Sequence, residues 1–513
     1  MTRLTRTIAA ACGAVLLSIP AFADEDSDID AKVKAALANL DGHARTIMEQ
    51  TGLPGLAVAV VHNGEVVFAE GYGVKEVGKD SPITPSTVFQ IASLSKSLAA
   101  TVVARQVGEG VVSWDDPVKT HLPWFTLSDP WVTDHVTIGD LFAHRSGLPD
   151  HAGDDLEDFG FGRKAILERL SAFPLNPLRI TYAYTNYGLT AAGEAVAVAS
   201  GKTWADLSEN VLYAPLGMDD TSSRFADFIA KEDRAIGHTR VDGTFVPYRS
   251  RQPDPQSPAG GVSSTVLDFS RWMRMVLDGG MVDGTELVKE EALNSALTVQ
   301  VVSNRRDSAA VPPSFYGFGV GVSVEDSGRM MLSHSGAFTL GAGTNYRMLP
   351  ALNLGIVAFS NGAPVGAVEA LTMTFTDEVQ YGAPRRDWLS LFQGGFAQML
   401  APIGELVGQT PPSDAAPAAA LSAYEGTYQN AYFGPLKVTA EDDGLALTIG
   451  PAGMTFPLTH WSANTFTASI INESLVDGSL SQVIFTPSND GTMESMTVEV
   501  LNEEGFGTFA RTP

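Results

Sequence analysis

Cysteine is nearly absent from this 513-residue chain, with Cys12 the single example. Cys12 lies in an N-terminal segment expected to be removed. The remaining protein then has no disulfide, no thiol nucleophile and no cysteine-based metal site to draw on. Basic residues are also few, 33 Lys and Arg against 59 Asp and Glu, for a net charge of −26. That field repels phosphate backbones and anionic bilayers, which argues against nucleic acid as a partner. Long apolar runs are missing too. The stretch Ile8 to Phe22 is too short to cross a bilayer comfortably and none elsewhere is longer, so no stable membrane insertion is expected. Several motifs are absent as well. There is no G-x-S-x-G elbow and no H-E-x-x-H, and the nine histidines do not cluster at metal-ligand spacing. His144, Asp150, His151 and Asp154 read as a solvated loop. Gly317-Phe318-Gly319-Val320-Gly321 lacks the following helix of a dinucleotide fingerprint and reads as a strand.

What is present at the N-terminus reads as a targeting segment. Arg3 and Arg6 precede the apolar run, and Ala21-Phe22-Ala23 gives the small-residue cleavage pattern. Residues 1–23 are therefore expected to be a signal peptide cut after Ala23, with the protein periplasmic or secreted. Its removal leaves 31 basic against 59 acidic residues, a net −28.

A length above 500 residues points to more than one core. An amphipathic helix is expected over Asp28 to Gln50. Two β-branched runs follow, Gly55 to His62 and Glu65 to Glu70, joined by the hairpin signal Asn63-Gly64. Helical patterns cover Ser93 to Gly108, Ile138 to Ala143, Tyr187 to Ala199 and Leu267 to Leu277. Strands return at Met330 to Ser333, Thr344 to Met348 and Leu354 to Ser360, before a helix over Val365 to Tyr381. Early strands, a helical middle and late strands predict an α/β (α+β) sandwich: an antiparallel sheet flanked by helices, with an all-helical region inserted. This domain is expected over 24–385, with a helix and Pro/Ala-rich linker over 386–420. From 421 to 513, short strand-like runs without helices predict a small all-β barrel. They include Gly426 to Tyr428, Leu436 to Val438, Leu445 to Ile449, Thr465 to Ile470, Val483 to Thr486 and Met496 to Val500.

The chemistry concentrates in three places. The first is Ser93-Leu94-Ser95-Lys96 at a helix start. A serine hydroxyl needs a base before it becomes a nucleophile, and a residue three positions on shares its helix face. Lys96 can therefore reach Ser93, while the helix start offers N–H groups to a developing oxyanion. Ser95 and Ser97 have no lysine at that spacing. The second is Tyr184-Thr185-Asn186. A phenol beside an ammonium can be pushed toward phenolate, so Tyr184 could handle the serine proton. Asn186 offers its amide to the substrate or to Lys96. The third is His334-Ser335-Gly336 at a strand end, where a substrate could lie along the strand edge.

These elements, in this order, resemble the serine β-lactamase and penicillin-binding-protein superfamily. The class C-like branch, with its D-aminopeptidases, esterases and D,D-carboxypeptidases, is the nearest likeness. The resemblance spans roughly Val33 to Tyr381 and is supported by Thr137 to Pro149, Pro215 to Met218, Pro258 to Ser264 and Tyr316 to Gly319. It implies an acyl-Ser93 intermediate, with Lys96 and Tyr184 relaying protons and neither yet singled out as the acylation base. It further implies an oxyanion site from the Ser93 N–H and one from Ser335 to Ala337, and no metal or organic cofactor. Substrate-binding residues would be Asn186, His334, Ser335, Gly336 and Ala337, and the substrate a small molecule or peptide. One departure stands out. Lactam-cleaving members usually carry Lys-Thr-Gly or Lys-Ser-Gly where this chain has His334-Ser335-Gly336. A histidine with an ordinary pKa of roughly 6.5 grips a carboxylate less well than a lysine. Peptidase-like activity is therefore expected ahead of esterase or weak β-lactamase activity. A reading from another class is a non-catalytic protein that binds or senses cell-wall fragments. The segment from Tyr424 to Leu436 resembles a lipocalin-like barrel appended to some peptidases of this group. Nothing in the sequence decides between a monomer and a homo-oligomer.

Overall fold

The computed structural model describes residues 23–248, 250–304, 313–441, 444–489 and 491–512. All but the last residue of the expected signal segment thus lies outside the described residues. Helix α1, Ala23–Thr51, starts where that segment ends. Its apolar positions Ile29, Val33, Ala36, Leu40, Ala44 and Ile47 recur every three or four residues and are all buried.

Strand β1, Gly55–His62, is buried along its whole length. Ala57, Ala59 and Val61 enter one core, while Leu56, Val58 and Val60 enter another, the alternation of a strand covered on both faces. Asn63 and Gly64 both adopt positive φ, 50° and 77°, which lets a two-residue turn carry the chain into β2, Glu65–Gly73. The late strands are β3 (Val301–Asn304), β4 (Ser314–Tyr316), β5 (Gly321–Val324), β6 (Met330–Phe338), β7 (Ala342–Leu349) and β8 (Leu354–Ser360). Together they form an eight-stranded antiparallel sheet in the order β2-β1-β8-β7-β6-β5-β4-β3. Helix α1 and the helix Ala367–Tyr381 cover one face. The helical region inserted between β2 and β3 covers the other. At its centre is α2, Ser95–Gly108, buried around nearly its whole circumference. The sandwich expected from the element order is the observed fold.

One local expectation fails. Residues 317–320 are not a strand but the tight connection between β4 and β5. Gly319 takes φ 72°, and a Cβ there would lie 2.5 Å from the Lys96 carbonyl oxygen. The glycines serve a close approach to α2 rather than a ladder.

The C-terminal region is a closed eight-stranded antiparallel barrel, from Gly426–Asn430 to Thr508–Arg511. Two of its strands, Met454–Ser462 and Thr508–Arg511, have no counterpart among the expected runs. The first contains Pro457, which weakens a strand reading; the proline is exposed on the barrel exterior. The barrel docks on the helical region through specific contacts. The Tyr432 hydroxyl donates to Asp155 Oδ1 at 2.6 Å, and Arg169 Nε donates to the Tyr432 carbonyl at 2.8 Å. Between the domains, Arg251 meets Glu157 at 2.8 Å and the barrel's Glu473 at 3.4 Å, with all three side chains nearly buried. Removing one member of a buried ion pair leaves an uncompensated charge, a loss of about 3–5 kcal/mol. Arg251→Met should therefore lower unfolding stability by about 3 kcal/mol in denaturant melts. A change below 1 kcal/mol would show that Glu157 and Glu473 do not depend on the arginine.

Candidate active site

Ser93 sits in a one-turn 3-10 helix, Ala92–Leu94, that leads directly into α2. Ala92 just before it holds φ 47°, a left-handed conformation that an alanine adopts at a cost of about 1 kcal/mol or more. The rival serines are engaged elsewhere. Ser95 Oγ donates to the Ala92 carbonyl at 2.6 Å and accepts the Val262 N–H, and Ser97 Oγ donates to the Gly319 carbonyl at 2.8 Å. Strand β6 runs against this turn. A Cβ on Gly336 would lie 2.9 Å from the Ser93 nitrogen and 2.7 Å from the Ile91 oxygen, so only glycine permits the approach. Strand β5 pairs with β6 only as far as Ser333. Among the described residues no strand pairs with 334–338 on this side, which leaves an open edge beside Ser93.

Lys96 is completely buried. Its Nζ donates to Ser93 Oγ at 3.1 Å, to Asn186 Oδ1 at 2.7 Å and to the Ala259 carbonyl at 2.9 Å. Burial lowers its pKa to about 7, with Asp154 pulling upward and Arg251 adding to the depression. The last two acceptors can only accept. A neutral amine must therefore turn two N–H bonds toward Asn186 and Ala259, which leaves its lone pair facing Ser93.

Tyr184 precedes the helix α3, Asn186–Ala199. Its segment is clamped on both sides: the Ala183 N–H donates to the His144 carbonyl, and the His151 N–H donates to the Tyr184 carbonyl at 2.8 Å. The Tyr184 ring lies 4.6 Å from Lys96 Nζ. The expected push toward phenolate does not occur. Burial dominates and drives the phenol pKa well above 10.

His334 also departs from expectation. Its Nδ1 lies 2.6 Å from the Ser335 carbonyl, which can only accept, so Nδ1 carries the hydrogen. Nε2 then accepts from the Tyr316 hydroxyl at 2.8 Å. Burial first, then the Lys96 charge, lowers the imidazole pKa to about 3. The ring has neither a spare nitrogen nor a charge for a substrate carboxylate. Ser335 points to the opposite face, where Asn345 Nδ2 donates to its Oγ at 2.8 Å. Ala337 lies on the free edge.

The presumed solvated loop is only partly solvated. His144 is buried, its ring 4.5 Å from that of Tyr184. His151 is exposed but fixed, with Nδ1 2.8 Å from Asp154 Oδ2. Asn186 Nδ2 donates to the same oxygen at 2.7 Å. A cavity of about 590 Å³ opens over Ser93. Its wall includes Tyr182, Tyr316 and Phe338 on one side, and Phe396, Met399, Glu473 and Ser474 from the linker helix and barrel on the other. The structure therefore gathers Ser93, Lys96 and Asn186 in one hydrogen-bonded cluster, with the Tyr184 ring against Lys96 and with His334, Gly336 and Ala337 beside it. Sequence reasoning missed Asp154, Arg251 and Glu473 as parts of this wall. Tyr316 stood within a recognised segment without a role of its own.

Residues 40–378 match the family model described as Beta-lactamase, and residues 410–508 match a model described as Domain of unknown function (DUF3471). The unguisins hydrolase ungD of Aspergillus violaceofuscus is 26% identical across 82% of this chain and 80% of that protein. Penicillin-binding protein 4 of Amycolatopsis lactamdurans is 30% identical over 52% of this chain and 70% of its own. Among solved structures, the octameric penicillin-binding protein homologue from Pyrococcus abyssi superposes with a TM-score of 0.60. At 20% identity it covers 90% of this chain and 98% of that one, a likeness of fold.

The hydrogen-bond pattern around His334 has a direct spectroscopic consequence. In nitrogen NMR of labelled histidine, the ring assigned to His334 should be neutral and Nδ1-protonated from pH 5 to 9. A ring assigned to His334 that titrates near the ordinary value of about 6.5 would contradict the Tyr316 and Ser335 contacts.

Proposed function

This chain belongs to the beta-lactamase family, and we propose that it is an exported serine hydrolase that cleaves peptide, amide or ester bonds through an acyl-Ser93 intermediate. The observation that carries this reading is the buried Lys96, whose fixed acceptors leave a neutral amine no orientation except one aimed at Ser93. Ser93 Oγ attacks the substrate carbonyl carbon as its proton passes to Lys96 Nζ. The Ser93 N–H and the β6 edge near Ala337 hold the oxyanion. Tyr184, a phenol at rest, passes its proton to the leaving group in the same step as it takes one from the Lys96 ammonium, so that no free phenolate forms. Water then enters by the reverse of these steps and frees the acid. Lys96 is thus the acylation base and Tyr184 the proton donor, an assignment supported by their opposite pKa displacements.

Peptidase-like substrates are favoured over β-lactams. A lactam carboxylate needs a cation, and Arg251 in the cavity wall is already paired with Glu157 and Glu473. His334 remains neutral above a pKa of about 3. A lost charge-assisted hydrogen bond of roughly 1.5–3 kcal/mol corresponds to about ten- to hundredfold in affinity. The similarity to a protein called an unguisins hydrolase accords with a hydrolase. Export rests on the basic and apolar residues ahead of Ala23.

A fluorophosphonate probe should label Ser93, as located by mass spectrometry, and Ser93→Ala should lose both labelling and ester turnover. Lys96→Ala and Tyr184→Phe should each lower kcat on the order of hundredfold or more. Near-normal turnover in Tyr184→Phe would remove the tyrosine from the mechanism. An unlabelled Ser93 with no turnover of esters, amino-acid amides or peptides would favour a binding protein. For the wild type, kcat/KM on a neutral ester should rise with pH through about 7 and then level off, because the base must be unprotonated. Nitrocefin should be cleaved more slowly than the best ester or peptide, and the reverse ranking would overturn the substrate preference.

A further inference from the structure

We propose that Asp154 is a positioning residue for the reaction at Ser93: its carboxylate holds the Asn186 amide in the one orientation that presents an oxygen, rather than an NH2 group, to Lys96. The inference rests on the Ser93–Lys96 reading above and assigns a role to a residue outside it. A primary amide has two faces of nearly equal shape and opposite hydrogen-bonding character. If Asn186 were flipped, its NH2 would meet the Lys96 ammonium donor to donor, or would donate to the neutral amine's lone pair and draw that lone pair away from Ser93. The geometry removes that alternative. Asn186 Nδ2 lies 2.7 Å from Asp154 Oδ2, and an ionised carboxylate only accepts. A flip would set the amide oxygen against that carboxylate and break the 2.7 Å contact from Lys96 at the same time.

Asp154 is held in turn. Its side chain is 15% exposed, and His151, 59% exposed, meets the same Oδ2 at 2.8 Å. Its other oxygen, Oδ1, is buried and has no hydrogen-bond partner among the described residues, so the carboxylate is committed to the Asn186–His151 side. The chain Lys96–Asn186–Asp154–His151 therefore runs from the completely buried amine to the protein surface. The charged and titratable groups that face Asp154 are Lys96 across the amide, His151, Arg251, Asp155, and the phenols Tyr184, Tyr187 and Tyr432. Asp150 stands 3.9 Å from the far side of the His151 ring.

Two effects follow with different signatures. Orientation acts on the rate, and charge acts on the pH at which the base becomes available. The negative Asp154 supports the Lys96 ammonium, whereas a protonated His151 partly cancels it. Asp154→Asn keeps the shape but lets both amides flip and removes the charge. It should lower the plateau kcat about tenfold with little change in KM, and shift the acid limb of the kcat/KM profile down by about half a pH unit or more. Asp154→Glu, which restores the charge and an obligate acceptor, should recover part of both. His151→Gln should move the limb upward, because Asp154 then acts uncancelled. A merely structural role would lower activity without moving the limb in opposite directions for the two replacements.

The experiment is the pH profile of neutral-ester hydrolysis by the full-length wild type, Asp154→Asn, Asp154→Glu and His151→Gln, beside Lys96→Ala. If Lys96→Ala loses turnover while Asp154→Asn keeps the wild-type plateau and limb, the role of Asp154 is overturned and the Ser93–Lys96 reading stands. If Lys96→Ala keeps turnover and the same limb, it is the base assignment that fails. Should Asp154→Asn not fold, Asp154→Ser, which also removes the obligate acceptor, decides by its plateau kcat: a loss of about tenfold supports the proposal, and a wild-type plateau overturns it.

Discussion

A lysine with no exposure to water, held by three oxygen acceptors, is the constraint around which this molecule is arranged. Removing an ammonium from solvent is costly, and the protein offsets that cost only in part. Asn186 and Ala259 supply dipoles, and Asp154 supplies a charge one amide away. The incomplete compensation leaves the amine poised near neutrality rather than permanently charged. The burial is made by the fold. Helix α2 is enclosed by its neighbours, Gly319 lets the β4–β5 turn press on the Lys96 carbonyl, and Gly336 lets β6 close on Ser93.

The same enclosure explains why several polar groups in the site are neutral. His144, His334, Tyr184 and Tyr316 form a packed cluster in which desolvation is the largest influence on every member. Two imidazoles beside a lysine would repel it if protonated. Both are instead held far below their ordinary pKa, and His334 is locked by two hydrogen bonds. The charged groups flank this cluster in two sets, Arg251 with Glu157 and Glu473, and Asp154 with His151. Because Glu473 belongs to the barrel, the second domain completes both the charge balance and the wall of the cavity.

Element order and periodicity made the sandwich legible, because its strands and helices repeat with clean periods of two and of three to four residues. Ser93, Lys96 and Tyr184 were legible for a different reason. Two of them are fixed by local helix geometry, and the third sits in a short triplet at a helix start. What escaped was everything set by distance in the chain. Asp154 lies 32 residues from Asn186 and Glu473 lies in another domain, so no spacing links them. The His334 environment was hidden for the same reason, since Tyr316 arrives from β4, two strands away in the sheet. The tyrosine's protonation was misjudged because a nearby cation was weighed without the burial that outweighs it. The glycine run at 317–321 misled because β-like composition also suits a turn pressed against a helix.

The central claim is that Lys96 is an amine poised to take the Ser93 proton. The most direct measurement is the titration of Lys96 itself, by NMR of lysine labelled at Cε and Nζ, with its signal assigned by its loss in Lys96→Met. The account predicts a single transition near pH 7, with the neutral amine present on its basic side. A Lys96 signal that stays protonated to about pH 10, as an ordinary solvated lysine would, contradicts it.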